Sequence, residues 1–174
     1  MAESEIINNG TSGMSIIEDT RQQVGKHCLK RAYFKLHGIT VVRSKLFVGD
    51  YMSLDNPKVA IDTKKDLVEV ATNLTQQHER FRAECEKARA LDIHLIVLVE
   101  EPNVKTLADV NRWHSPIKKS TRQPYTKLAG TVLFKIMYTM QQKYGVEWQF
   151  CTKETAGKRI AELLYADTDK SGGA

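Results

Sequence analysis

The stretch VGDYMSLDNPKVAIDTKKDL, from Val48 to Leu67, sets Asp50 twelve residues ahead of Asp62 and follows Asp62 two positions later with Lys64. Carboxylates and an ammonium so spaced suit one chemistry well: cleavage of a phosphodiester with the help of a divalent metal. That reaction needs a metal to neutralise charge on the phosphate, to lower the pKa of an attacking water and to stabilise the leaving oxygen. Magnesium takes hard oxygen ligands and keeps several waters. Two or three carboxylates and a strand carbonyl, here that of Thr63, are therefore enough. Side chains two apart on a strand share a face, so Asp62 and Lys64 project together. The same residues also suit a simpler role, a charged strand exit in which Asp62, Lys64, Lys65 and Asp66 lead into and cap the next helix. As a bare pattern, D…DxK does not choose between the two.

The elements around this stretch decide where its side chains go. ITVVRSKL, FVGDYMSL and KVAIDTKK are rich in β-branched residues and read as strands, with DNP turning the chain between the last two. Upstream, SIIEDT is a short apolar run ending in carboxylates. Between them, QQVGKHCLKRAYFKLHG has helical spacing through Cys28, Leu29, Ala32, Tyr33 and Leu36, and Gly38 is placed to stop it. Downstream, Leu67, Val70, Ala71, Leu74, Phe81, Cys85, Ala88 and Leu91 keep one apolar face and predict a single long helix. Gln77, Arg80 and Glu84 recur at three and four on another side of it. IHLIVLVEE is continuously apolar, as a strand buried on both faces is. A long loop follows from Glu101 to Tyr125, holding three of the four prolines. The chain closes with a helix (TKLAGTVLFKIMYTMQQKYG), a strand (VEWQFCT) and a helix (KETAGKRIAELLYA). This order predicts an α/β domain with a central mixed sheet and helices on both faces.

Composition bounds the partners. With 174 residues, 41% hydrophobic and 27% charged, the chain can bury a core without staples. No apolar run approaches the roughly 20 residues that span a bilayer, so no membrane partner is expected. MAESEIINNGTSG lacks the basic start and apolar centre of a secretory signal and reads as a disordered lead-in. Cys28, Cys85 and Cys151 are odd in number and lack CxxC spacing, which points to buried thiols in a reducing compartment. The five histidines form no ligand spacing, Trp113 and Trp148 read as core or loop anchors, and no phosphate-binding glycine loop is present. The net charge is +5, and its distribution says more than its size. From Pro102 to Lys135 seven basic residues face Asp109 alone, with Lys118, Lys119 and Arg122 at the centre. Such a segment is either a solvated loop or a clamp on DNA phosphates.

In their order and setting these motifs resemble the nuclease domain of the XPF-type structure-specific endonucleases, a branch of the PD-(D/E)XK superfamily. The resemblance runs from about Ser15 to about Tyr165. It is carried by IIEDTRQ with Asp19 and Arg21, VGDY with Gly49 and Asp50, and VAIDTKKDL with Asp62 and Lys64. QQHERF with Gln77 and Arg80, HLIVLVEE ending at Glu100, and the tail FCTKETAGKRIAELL complete it. The resemblance implies a restriction-endonuclease-like fold over residues 14–166, between a lead-in at 1–13 and a tail at 167–174. It implies a Mg²⁺-dependent DNA endonuclease, with Mn²⁺ able to substitute, acting on branched DNA. Asp50, Asp62 and Asp19 would serve as acidic ligands, Thr63 would lend its carbonyl, and Lys64 would orient water. Arg21 would contact phosphate or brace a carboxylate, Lys65 would contact DNA, and Gln77 and Arg80 would either contact DNA or form ordinary surface charge. Where the family usually has Glu-Arg-Lys, this chain has Asp62-Thr63-Lys64, so the middle arginine is missing or its part is taken by Lys65. It also lacks the tandem helix-hairpin-helix and helicase modules of larger relatives, which suits a free-standing phage or prophage enzyme in bacterial cytoplasm. A homodimer is compatible with this. A Holliday-junction resolvase, a restriction-type nuclease and a non-catalytic DNA-binding subunit are the alternatives.

Overall fold

The computed structural model describes residues 13–23, 25, 27–116 and 128–166. The β-branched runs form six strands: β1 (Ser15–Asp19), β2 (Thr40–Ser44), β3 (Tyr51–Ser53), β4 (Val59–Lys64), β5 (His94–Glu100) and β6 (Glu147–Cys151). They make one mixed sheet in the order β2-β1-β3-β4-β5-β6. β3 is antiparallel to β1 and β4, and the other neighbours run parallel. β5, flanked by β4 and β6, buries Leu95 through Val99, as its unbroken apolar run requires.

Helices cover both faces, as the element order predicts. On one side α2 (Leu67–Thr75), α3 (His78–Ala90) and α4 (Gly130–Tyr144) pack through Val70, Phe81 and Met137 onto Ala60, Val97 and Trp148. On the other, α1 (Cys28–Leu36) and α5 (Ala156–Tyr165) pack Phe34 and Ile160 onto Ile16, Ile61 and Leu98. Trp148 is a core anchor, its Nε1 donating to the Met137 carbonyl at 3.0 Å. Among the described residues, no helix is long and apolar enough to cross a membrane.

Three expectations are corrected. The single helix over 67–91 is two, because the polar run from Thr75 to Arg80 offers the core nothing to hold. The Thr72 carbonyl accepts both the Gln76 and Gln77 N–H groups there (2.9 and 3.1 Å), and the chain restarts at His78. The proline-rich loop contains a 3-10 helix, Leu107–Arg112, set by a capping box in which Thr106 and Asp109 satisfy each other's backbone N–H. α1 exists, but its apolar stripe is not its buried side: Leu29 and Leu36 are exposed, while Lys30 and Phe34 are buried. The sheet beneath carries buried Glu18 and the Glu100 carboxylate, and their pull on Arg31 and Lys30 turns that side of the helix inward. Cys28 is consequently exposed, unlike buried Cys85. The lead-in, the tail, Lys118, Lys119 and Arg122 lie outside the described residues, apart from Gly13.

Candidate active site

β3 and β4 pair with Tyr51 opposite Ile61, so one step further along the ladder Asp50 comes beside Asp62. Gly49 permits the approach. Its φ is 71°, and a Cβ there would stand 2.9 Å from the Ile61 carbonyl oxygen. The Asp50 N–H donates to that carbonyl at 2.7 Å, and the Gly49 N–H donates to Glu84 Oε1 on α3 at 3.0 Å. The Asp50 carboxylate is aimed by Thr63, whose N–H and Oγ1 both donate to Oδ2, at 2.8 and 2.7 Å.

Asp62 and Lys64 share a strand face, as their spacing requires, and Lys64 Nζ lies 2.6 Å from Asp62 Oδ2. The two buried groups form a close ion pair. Burial pushes the Asp62 carboxyl up, to about 7; Lys64 opposes this, while the Asp50 and Glu84 charges add to it. Burial works against the Lys64 charge too, but the Asp62 carboxylate outweighs it and holds the ammonium above its ordinary value. The pair therefore keeps its proton on lysine. Asp66 does cap the next helix, accepting the Glu69 N–H at 2.7 Å, so the simpler role belongs to Asp66 rather than to Asp62.

A cavity of about 440 Å³ opens over these groups. Arg21 and Asn73 line it, together with Gln77, Arg80, Glu84 and Lys87 at and beyond the head of α3. The structure thus brings Asp50, Asp62, Thr63, Lys64, Arg21, Gln77 and Arg80 to one cavity. Lys65 is exposed beside an adjoining cleft that shares Arg21 and Gln77 with it. Lys87 was legible only as a continuation of the Arg80 and Glu84 spacing.

Asp19 is placed differently. Its buried carboxylate takes four donors: Arg21 N–H (2.7 Å), Nε (2.8 Å) and Nη2 (2.8 Å), and the Leu46 N–H (2.8 Å). Burial alone would raise its pKa, but these bonds hold it below the ordinary carboxylate value. Its own N–H donates to the Asp50 carbonyl at 2.8 Å, so it adjoins the site through the backbone. Arg21 braces this carboxylate bidentately. Glu100 faces the other side of the sheet, paired with Lys30. Among the described residues, no three His, Cys, Asp or Glu side chains stand together as a ready metal cage.

No family model and no curated protein matches the chain. Among solved structures it is similar to XPF from Aeropyrum pernix: 17% identity, TM-score 0.61, over 90% of this chain and 66% of that one. It is also similar to XPF from Aeropyrum pernix in complex with DNA, at 17% identity and TM-score 0.59, over 92% of this chain and 68% of that one. The chain therefore spans about two thirds of the length of those structures. At this identity the likeness establishes the fold: the mixed sheet flanked by helices is XPF-like.

Proposed function

We propose that the protein is a magnesium-dependent DNA endonuclease acting on branched DNA. The observation that carries this is the buried Asp62 carboxylate, set beside Asp50 and Lys64 at the floor of an open cavity. A buried carboxylate is costly unless its partners offset burial, and here the Lys64 ammonium is opposed by the Asp50 and Glu84 charges. Magnesium needs only one or two carboxylates when waters and substrate phosphate fill the remaining positions, so the two acids fit it without a third. Asp50 and Asp62 would hold the ion, with the Thr63 carbonyl and Asp19 as further candidates. The bound ion would supply charge neutralisation at the phosphate and acidify water.

The chain's own groups have separable parts. Lys64 would orient the attacking water and stabilise charge developing on the phosphate. Thr63 keeps Asp50 in one orientation, and Glu84 holds the Gly49 turn that presents it. Water attacks phosphorus, the bond to the 3′ oxygen breaks, and the ends left are 5′-phosphate and 3′-hydroxyl. Arg21, Arg80 and Lys65 ring the cleft as phosphate contacts. Lys118, Lys119 and Arg122 would extend the path. Replacing those three should flatten the log–log salt dependence of binding by about two to three, at roughly 0.9 per phosphate contact.

DNA as substrate is supported by the similarity to XPF, one structure of which holds DNA; the preference for branched DNA rests on the motif resemblance. The test is a panel of labelled duplex, flap, fork and four-way DNA with Mg²⁺, Mn²⁺ or EDTA. Cleavage of branched DNA with either metal and none in EDTA is expected. Binding without cleavage under every metal would instead identify a non-catalytic DNA-binding subunit.

A further inference from the structure

Leu46 and Val48 are buried, and the alternation between them turns Phe47 outward, where it is 74% exposed. A lone exposed phenylalanine needs no explanation in itself. This one, however, sits on backbone that is fixed on both sides. Asp19 accepts the Leu46 N–H at 2.8 Å, and Arg21 Nη2 donates to the Leu46 carbonyl at 3.2 Å. Two residues later Glu84 holds the Gly49 N–H, and Ile61 holds that of Asp50. The segment between the end of β2 and the start of β3 is therefore clamped, with one large apolar side chain facing water. That ring lines the same cavity as Asp50, Asp62 and Lys64. Lys87 Nζ lies 5.3 Å from the ring centroid and lines the cavity as well.

We propose that Phe47 is a base-stacking platform at the mouth of the cleft, selecting DNA with an unpaired base next to the scissile phosphate. The inference rests on the nuclease reading and deepens it by naming how a branched substrate would be recognised. Inside a duplex each base face is already covered by its neighbours, whereas a base at a fork or flap offers a free face. Aromatic stacking accepts any base, because every base has a π-face. A ring whose backbone is fixed beforehand loses little freedom on binding. Lys87 Nζ lies over one face of the ring, so the base would stack on the other face with Lys87 placed to meet a neighbouring phosphate. The two tryptophans do not compete for this part: Trp148 is buried, and Trp113 packs against the core.

The test measures binding in EDTA, so cleavage does not intervene. The probes are a forked oligonucleotide with 2-aminopurine at its first unpaired position and the fully paired duplex of the same sequence. They are titrated with the wild type, Phe47→Ala and Phe47→Trp. The exposed ring supports no core, so all three should melt alike. The wild type should bind the fork more tightly than the duplex and quench the 2-aminopurine. Phe47→Ala should lose on the order of 5- to 150-fold on the fork, the range expected for one stacked base, and lose the quenching. Phe47→Trp should retain both. A fork-to-duplex ratio equal to wild type in Phe47→Ala would overturn the platform while leaving the nuclease reading intact. A wild type that binds neither DNA would overturn both.

Discussion

Glu18 on β1 and Asp62 on β4 are both buried acids, but they face opposite sides of the sheet and are partnered very differently. Glu18, fully buried beneath α1, receives Arg31 through two nitrogens, one of them at 3.2 Å, and Arg43 Nε at 3.3 Å. Asp62, 5% exposed beneath α2 and α3, is paired with Lys64, while Asp50 and Glu84 add repulsion. A buried charge that merely supports a fold must be paired and hydrogen-bonded, or it costs more than it returns. Glu18 meets that condition with two guanidinium groups, whereas Asp62 sets one ammonium against two neighbouring carboxylates. On the proposed function that difference is where a cation and a phosphate would bind, and it would separate a structural acid from a chemical one more sharply than burial does.

The contrast can be broken most forcefully at Lys64. Lys64→Ala should lower single-turnover cleavage at saturating DNA by about 10²–10⁴-fold, the usual range for a group that moves or stabilises a proton. A loss below tenfold would make the lysine a structural counter-ion like Arg31.

On the other face the effect should appear in stability alone. Arg31→Ala strips Glu18 of its nearest guanidinium and should cost about 3 kcal/mol of unfolding free energy, since Arg43 stays within reach. Cleavage by the folded fraction should be unchanged. Denaturant melts beside active-site-normalised rates would check this.

A smaller effect sharpens the place of Asp19, which sits on the catalytic face but is saturated like Glu18. Its folded pKa lies below the ordinary 3.8. Such a group stabilises the fold above its unfolded pKa, and that contribution is lost as pH falls through the folded value. The melting-temperature gap between the wild type and Asp19→Asn should therefore be widest near neutrality and narrow below about pH 4. A gap that does not change with pH would mean that the carboxylate's charge is not what holds Arg21 and Leu46.

Much of this was legible in the sequence because it depends on local pattern. β-Branched runs, the DNP turn and the Asp62-Thr63-Lys64 spacing set strands and a shared face without reference to the rest of the chain. What escaped was set by partners far away in sequence. The inward side of α1 depends on acids 13 and 70 residues from Arg31 and Lys30. The saturation of Asp19 depends on Leu46, and the grip on Gly49 comes from Glu84, 35 residues on. The helix break at Gln77 was written in a polar run that continuous periodicity on either side concealed.

The most direct test of the central claim is Asp62→Asn, which keeps the shape of the side chain and removes its charge. DNA binding and single-turnover cleavage should be measured side by side with Mg²⁺ present. The account predicts that cleavage falls to background while the fold and the affinity for branched DNA stay near wild type. Cleavage at the wild-type rate in this variant would contradict it.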